Sequence, residues 1–359
     1  MELLSKYVEF KNGKKRPDSK GSIPVYGGNG ILDYTNISNM TNGVVVGRVG
    51  VYCGSVFLVK DECWVSDNAI KAICYDNMDL SYLYYLLSSL HLNERRIGTS
   101  QPLLTQNILN NIEVDVPELD TQKKIASVLE SLDDKIQLNN RINNNLEQQM
   151  QALYKSWFID FEPYNGVKPA NWNKTDIYSI ANIIYGAPFA SKLFNTEGLG
   201  KPIIRIRDLK EQEFVTYTTE EHPKGHLIHP GDIVVGMDGE FRPYLWGNED
   251  GWLNQRVCIF ENKRPNGKAF LLYTIKPLLN VIEQTQVATT VIHIGKKDYD
   301  AFEINLPDED SLSRFDDITT PMIEQIVNNR LENKRLSNLR DVLLPKLISG
   351  EINISDLDI

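Results

Sequence analysis

From Glu118 to Glu162 the chain contains neither glycine nor proline, and its apolar residues recur at intervals of three and four. They are Ile125, Leu129, Leu132 and Ile136, then Ile142, Leu146, Met150, Leu153 and Trp157. A stripe that narrow, sustained over so many turns, predicts one long amphipathic helix of coiled-coil character. Thr121 is placed to cap its start, and Glu162-Pro163 to end it. The pattern returns near the C-terminus with Phe315, Ile318, Met322 and Ile326, then Leu336, Leu339, Leu343 and Leu347, ahead of Gly350 as a stop. About 40 helical residues at roughly 1.5 Å each make a rod of about 60 Å. Asn139 and Asn329 fall near stripe positions that call for apolar residues. Facing each other in a seam they would fix its register; the alternative is exposure to solvent.

Elsewhere the period shortens. The segment 44–59, VVVGRVGVYCGSVFLV, is β-branched and punctuated by glycines, which predicts short strands and tight turns. SIPVYGGNGILDY at 22–34 reads as strand, turn, strand, with Gly27, Gly28 and Gly30 available for positive φ. Leu80 to Leu92 reads as a short buried helix, and 270–282 as its counterpart, which Pro277 is expected to kink or end.

The counterpart is no accident, because the chain repeats. Ile97-Gly98-Thr99-Ser100 leads to Val114-Asp115-Val116-Pro117, and Val287-Ala288-Thr289-Thr290 leads to Ile304-Asn305-Leu306-Pro307, a shift of 190 at both ends. VVVGRVG at 44–50 lines up with IVVGMDG at 233–239, DNAIKAI at 67–73 with NQRVCIF at 254–260, and Asn139 to Ile142 with Asn328 to Leu331. One such match is weak; a nearly constant shift over several stations is not. The expected architecture is α+β: two pseudo-symmetric mixed α/β domains separated by two long antiparallel coiled-coil helices. The boundaries are 1–118 for the first domain, 119–162 for the central helix, 163–306 for the second domain and 307–359 for the C-terminal helix.

The length of 359 residues fits two domains, and 42% hydrophobic residues suffice for real cores. No stretch has the roughly 18 apolar residues of a membrane span, and MELLSKYVEF lacks the apolar region of a signal peptide. Four cysteines without a CxxC pair suggest a reduced, cytoplasmic setting. The net charge of −10 argues at first against nucleic acid, but it divides as −2, −2, −1 and −5 over the four segments. Either large domain is therefore free to carry a basic face.

With these stations in hand, the chain resembles the specificity subunit of type I restriction–modification enzymes over essentially its whole length. The resemblance rests most on PLLTQNILNNIEVDVPELDTQKKIASVLESLDDKIQLNNRINNNLEQQMQALYKSWF at 102–158 and LRDVLLPKLISGEI at 339–352, with NGK at 12–14 and IPVYGGNGI at 23–31 like the opening of a target-recognition domain. It implies a non-catalytic subunit whose two target-recognition domains each read half of a split double-stranded DNA site. It also implies that the helices set the gap and dock two methyltransferase subunits, that translocase–nuclease subunits join them, and that no membrane is involved. No cofactor is expected in this chain; S-adenosylmethionine, ATP and Mg would sit on the partners. The second helix departs from the pattern, since 306–326 lacks the Gln122-Lys123-Lys124-Ile125 start, which puts equivalence of the two methyltransferase contacts in doubt. Half-sites read from one face lie about 34–36 Å apart, so about four read base pairs per domain leave about six unread.

Arg reads guanine edges bidentately, while Asn and Gln read adenine, which selects the candidates. In the first domain Lys14, Lys15 and Arg16, flanked by Lys11 and Lys20, crowd one loop; Arg48 follows a strand; Arg95, Arg96 and Gln101 bracket a glycine loop. In the second, Arg205 and Arg207 alternate as on one strand face, Arg242 follows a probable turn, and Asn254, Gln255 and Arg256 are consecutive. The competing reading of each is a surface charge with a nearby acid. Lys123, Lys124 and Arg141 are the candidates for partner contact, against a merely solvated helix face. Trp64, Trp246 and Trp252 are expected to fill cores. Pro223, Gly225 and Pro230 break any helix that would gather His222, His226 and His229 on a metal.

Catalytic signatures are missing: no GxxxxGK[ST], no Pro-Pro, and only a faint acidic-lysine echo in Pro17-Asp18-Ser19-Lys20. Three other readings compete with the sequence-reading subunit. They are a specificity subunit working with a fused nuclease–methyltransferase, a stand-alone DNA-acting enzyme, and a scaffold that binds partners without reading DNA.

Overall fold

The computed structural model describes residues 1–98, 102–285 and 293–354. It divides into two compact units, Met1–Lys135 with Leu336–Ile359, and Ile136–Arg335. The cut passes through both long helices, so each unit owns a segment of each.

Among the described residues the first unit has eight strands: β1 (Glu2–Leu3), β2 (Val8–Asn12), β3 (Ile23–Gly27), β4 (Gly30–Thr35), β5 (Met40–Gly47), β6 (Val56–Val65), β7 (Ala69–Cys74) and β8 (Glu113–Val114). Its helices are α1 (Leu80–Ser89), α2 (Gln106–Asn110) and the start of α3 (Leu119–Phe158). Six strands form one sheet in the order β2-β7-β5-β6-β3-β4, and β1 pairs with β8. All neighbours are antiparallel except β3 and β6, joined in parallel through Val25–Trp64 and Tyr26–Val65. Between β3 and β4 only Gly30 needs the left-handed conformation, at φ +84°.

Alternation along β5 and β7 sends side chains to both faces of that sheet. Val44, Val46, Ile70 and Ala72 join Tyr82, Leu83, Leu86 and Leu87 of α1 in the main core. Val45, Met40, Val59, Cys63 and Val65 form a smaller cluster behind it. Asp79 caps α1 by accepting from the amide of Tyr82 at 2.9 Å. Ile125, Ala126 and Leu129 of α3 close the core together with Leu347. Each such fully buried aliphatic side chain contributes roughly 1.5–3 kcal/mol.

The second unit continues with β9 (Asn173–Asp176), β10 (Ala181–Tyr185), β11 (Phe194–Asn195), β12 (Lys201–Ile204), β13 (Tyr217–Thr218) and β14 (Leu227–Ile228). Then come β15 (Ile233–Gly236), β16 (Pro243–Leu245), β17 (Gly251–Leu253), β18 (Val257–Asn262) and β19 (Glu303–Leu306). Its helices are α4 (Lys268–Thr285), α5 (Lys296–Tyr299) and most of α6 (Glu309–Ile348). One sheet has the order β10-β18-β15-β16 and a second the order β11-β13-β12-β17-β14, with β9 paired to β19.

The first of these sheets is the four-strand block β2-β7-β5-β6 again, strand for strand. Val44 faces Ala72 and Leu58 in one copy; Ile233 faces Phe260 and Leu245 in the other. The parallel pairing recurs too, as Ile203–Trp252 and Ile204–Leu253. The ten-residue strand β6 therefore corresponds to β16 plus β17, interrupted by 246–250. Gly13 and Gly186 mark the same tight place: a Cβ there would sit 1.9 Å from the carbonyl oxygen of Ser66, or 2.0 Å from that of Asn254.

Several expectations are corrected. The central helix begins at Leu119, so Thr121 lies inside it, and it ends at Phe158 rather than at Glu162-Pro163. Phe161, at φ +55°, already leads out of it. Helix α4 runs through Pro277 without ending, because Leu271, Tyr273, Ile275 and Leu279 on either side are buried in the core, and packing outweighs one missing amide. Trp246 is fully buried, whereas Trp64 and Trp252 are only half-buried. Both repeat loops continue into residues 99–101 and 286–292, which lie outside the described residues.

Asn139 and Asn329 are buried, but they do not meet. Asn139 donates to Asn333 at 2.9 Å and to Glu332 at 2.7 Å, and Asn329 donates to Asn143 at 2.8 Å. The reason is antiparallel pairing. Moving up α3 means moving down α6, so 139 lies opposite 333 and 143 opposite 329. Burial along the helices sets their shift at 190, with Gln122, Ile125 and Asn139 against Leu312, Phe315 and Asn329, rather than the 189 of the Asn139–Asn328 match. Replacing each residue by that counterpart exchanges these two pairs.

Candidate nucleic-acid interface

Where β5 leaves the sheet in the first unit, the amide of Arg48 donates to the carbonyl of Asn68, and the carbonyl of Arg48 accepts from Leu104. Where β15 leaves the sheet in the second, the amide of Met237 donates to Arg256 and its carbonyl accepts from Ile294. Val49 bridges Leu103 in one copy, Asp238 bridges His293 in the other, and Gly50 and Gly239 follow with φ of +74° and +80°. The backbone is one design at both stations. The side chains differ entirely.

In the first unit Arg48 is half-buried, with its Nη1 3.4 Å from the carbonyl of Asp67 and its buried Nε without a hydrogen bond among the described residues. Lys14, Lys15 and Arg16 are exposed, and Arg16 lies 3.3 Å from Asp33. Arg95 and Arg96 are exposed as well, with the Nε of Arg95 donating to Leu90. Gln101 lies outside the described residues. The pattern did not point to Lys71, which is buried on β7 opposite Lys11 and donates to the carbonyl of Asn39. Burial, and then the neighbouring Lys14 and Lys11, pull its ammonium below the usual lysine range.

In the second unit Arg256 reaches Asp238 at 3.6 Å and the Nδ1 of His293 at 3.1 Å, and His293 lies 2.7 Å from Asp238. Asp238 and His293 had escaped notice, although IVVGMDG set against VVVGRVG places the acid at the same station. Gln255 is exposed, but Asn254 is buried and its Oδ1 accepts from the Gln255 amide, so its amide group serves the turn. Arg242 is exposed beside Glu240 at 3.6 Å.

Arg205 and Arg207 do not alternate on a strand. β12 stops at Ile204, and Ile206–Asp208 is a single 3-10 turn, which brings both guanidinium groups back to one place. Arg205 and Arg207 both donate to the hydroxyl of Thr216, the latter at 3.4 Å. Their Nε atoms stand 3.8 and 3.6 Å from the carboxylate of Asp208. Together with Phe194, Asn195, Thr196, Glu197 and Thr216 they line a cleft of about 320 Å³. Burial pushes the Asp208 carboxyl up to about 6 against the pull of Arg207.

On the long helix Lys123, Lys124 and Arg141 are exposed. Gln122, within the same motif, is buried and saturated: it accepts from Asp79 and donates to Asn77 and Pro117. It fastens the helix start to the loop before α1. The counterpart of Gln122 in α6 is Leu312, also buried, and there Asp308 caps the helix by accepting from Ser311 and from the indole of Trp172.

A family model described as the type I restriction modification DNA specificity domain matches residues 7–148 and, a second time, 169–337. The type I restriction enzyme MjaIX specificity subunit of Methanocaldococcus jannaschii is 26% identical over 329 residues, spanning 85% of this chain and 76% of its own. The HindI specificity subunit of Haemophilus influenzae is 24% identical over 335 residues, spanning 72% and 73%. Among solved structures, the type I restriction–modification S subunit from M. genitalium shares the fold with a TM-score of 0.63 at 15% identity, over 97% of this chain and 95% of that one. Among the described residues no helix is long and apolar enough to cross a membrane.

Proposed function

Because the chain belongs to the type I restriction–modification DNA specificity family and carries two of its domains, we propose that it reads a bipartite double-stranded DNA site, one half per domain, and catalyses nothing itself. In this reading the long helices fix the unread gap and dock two methyltransferase subunits through surfaces that include Lys123, Lys124 and Arg141. Translocase–nuclease subunits complete the assembly, which works on DNA in the cytoplasm. S-adenosylmethionine, ATP and Mg belong to those partners.

The observation that carries the reading is the pair of equivalent loop stations. The same strands in the same register carry Arg48, Asn68 and Val49 at one station and Arg256 and Asp238, beside a buried Met237, at the other. A scaffold that only bound partners would have no use for that divergence; a reader of two different half-sites needs it. Near-neutral domains agree with base reading supplied here and phosphate neutralisation supplied largely by partners that enclose the duplex.

Exchanging residues 1–118 for the matching domain of a relative, in the complex with its methyltransferase subunits, tests this directly. Sequencing of methylated DNA is expected to show one half of the recognised site replaced and the other half and the gap retained. An unaltered methylation pattern would refute it.

A further inference from the structure

Resting on that reading, we propose that the Arg205–Arg207 cleft of the second domain takes the major-groove edge of one G·C base pair, with Arg207 as the reader and Asp208 as the residue that positions it.

Four charged groups meet at this place. Arg205 and Arg207 are offset by the buried Asp208 and by Glu197 on the exposed rim, so the cleft is close to neutral. A phosphate would favour net positive charge. A base edge offers donors and acceptors side by side and favours a mixed set. Arg matches the O6 and N7 of guanine, and a carboxylate accepts from the N4 amine of cytosine; Arg207 and Glu197 supply one of each.

The roles within the set separate by exposure. Arg205 is largely buried, lies over the ring of Phe194 at 5.9 Å and is tethered to Thr216. Arg207 has 62% of its side chain exposed and is held more loosely, by the carboxylate of Asp208 at 3.6 Å and the Thr216 hydroxyl at 3.4 Å. Among the described residues two buried atoms here make no hydrogen bond, Nε of Arg205 and Oδ1 of Asp208, although the carboxylate is within ion-pair reach of both guanidinium groups. Burial makes the ionised Asp208 a stability cost, and the same burial is what pushes its carboxyl up. One function of such a residue is to aim the guanidinium beside it. Its Oδ2 also accepts from the Arg205 amide at 2.9 Å, which fixes the turn that turns both arginines inward.

The experiment compares methylated-site sequences produced by the full complex carrying wild-type chain, Arg207→Ala, Asp208→Asn or Glu197→Gln. Arg207→Ala is expected to relax one G·C position of the second half-site by roughly tenfold to a hundredfold, leaving the first half-site strict. Asp208→Asn is expected to relax the same position while the thermal transition at neutral pH stays or rises, an outcome a merely structural residue would not give. Unchanged preference in Arg207→Ala, relaxation at an A·T position, or uniformly weaker methylation without a change of sequence would each overturn the proposal. If Arg207→Ala abolishes recognition of both halves through misfolding, Glu197→Gln on the exposed rim decides, since it must relax the same position. The domain exchange above fails or succeeds independently of all three variants.

Discussion

The two copies agree in their sheets and disagree at their rims, and the division follows burial. β5 and β15 both read as an unbroken buried run, Val44-Val45-Val46 and Ile233-Val234-Val235, because each is covered on both faces. Residues just past the strand ends differ instead: Arg48 and Val49 are half-buried in one copy, while in the other Met237 has joined the core and Asp238 is half-buried. The largest divergence is the sheet β11-β13-β12-β17-β14, which the first copy lacks as a separate layer. Divergence lies where DNA reading would need it, and identity lies where folding needs it.

The comparison can be broken at its cores. Phe315 of α6, packed edge-on against Phe158 at 4.9 Å, stands at the position of Ile125 in α3. Phe315→Ala is expected to cost roughly 3–5 kcal/mol and Ile125→Ala roughly 2–5 kcal/mol in chemical unfolding. A negligible cost at either position would contradict the view that both helices complete the cores of the domains before them.

Next in size is the helix seam. Asn143→Leu or Asn329→Leu alone leaves a buried amide without its partner and is expected to cost roughly 1–3 kcal/mol. The double change should recover most of that loss in a double-mutant cycle, at the expense of a defined register. Additive losses would mean that the two residues do not depend on each other.

Smallest is the difference between the helix starts. Ser311, Trp172 and Asn171 hold the Asp308 carboxyl below its usual value near 3.8, the backbone amide of Ser311 most strongly. Folding thus favours the ionised form. That stabilisation is complete above the unfolded value and fades as pH falls through the lower native one. Asp308→Ala should cost about 1 kcal/mol at neutral pH and progressively less in acid. Gln122→Ala, at the other helix start, should cost roughly 1–3 kcal/mol with no such decline, because an amide does not titrate. A flat profile for both variants would erase the distinction.

The comparison also explains what was legible beforehand. The long helices and the repeat are periodic signals, set by burial along one element, and periodicity reads them. The register of the seam was misread because antiparallel partners follow from the sum of two positions, and Asn139 and Asn329 are counterparts rather than neighbours. Gln122 looked like part of an exposed contact motif because Lys123 and Lys124 follow it; only the loop at 77–79, brought in by α1, reveals its three hydrogen bonds. Arg205 and Arg207 had the spacing of a strand face and the geometry of a turn, a choice that Asp208 makes three residues on. The separation of β16 from β17 is marked only by Gly247-Asn248 and Asp250-Gly251, turn residues that do not by themselves tell a hairpin from a strand passing to a second sheet.

That separation has a consequence for how new specificities arise. β6 is a single strand that passes from β5, paired up to Cys63, directly to β3 at Trp64 and Val65, so residues added at that passage would dislocate the pairing next to them. In the second copy Trp246 is still paired with Gly231 and Asp232 and Asn248 is buried, but Glu249 and Asp250 are exposed. Added residues at those two positions would leave the hydrogen bonds of β16 to β15 and of β17 to β12 in place. The second domain can therefore gain surface at this joint at little cost to the pairing that holds its two sheets.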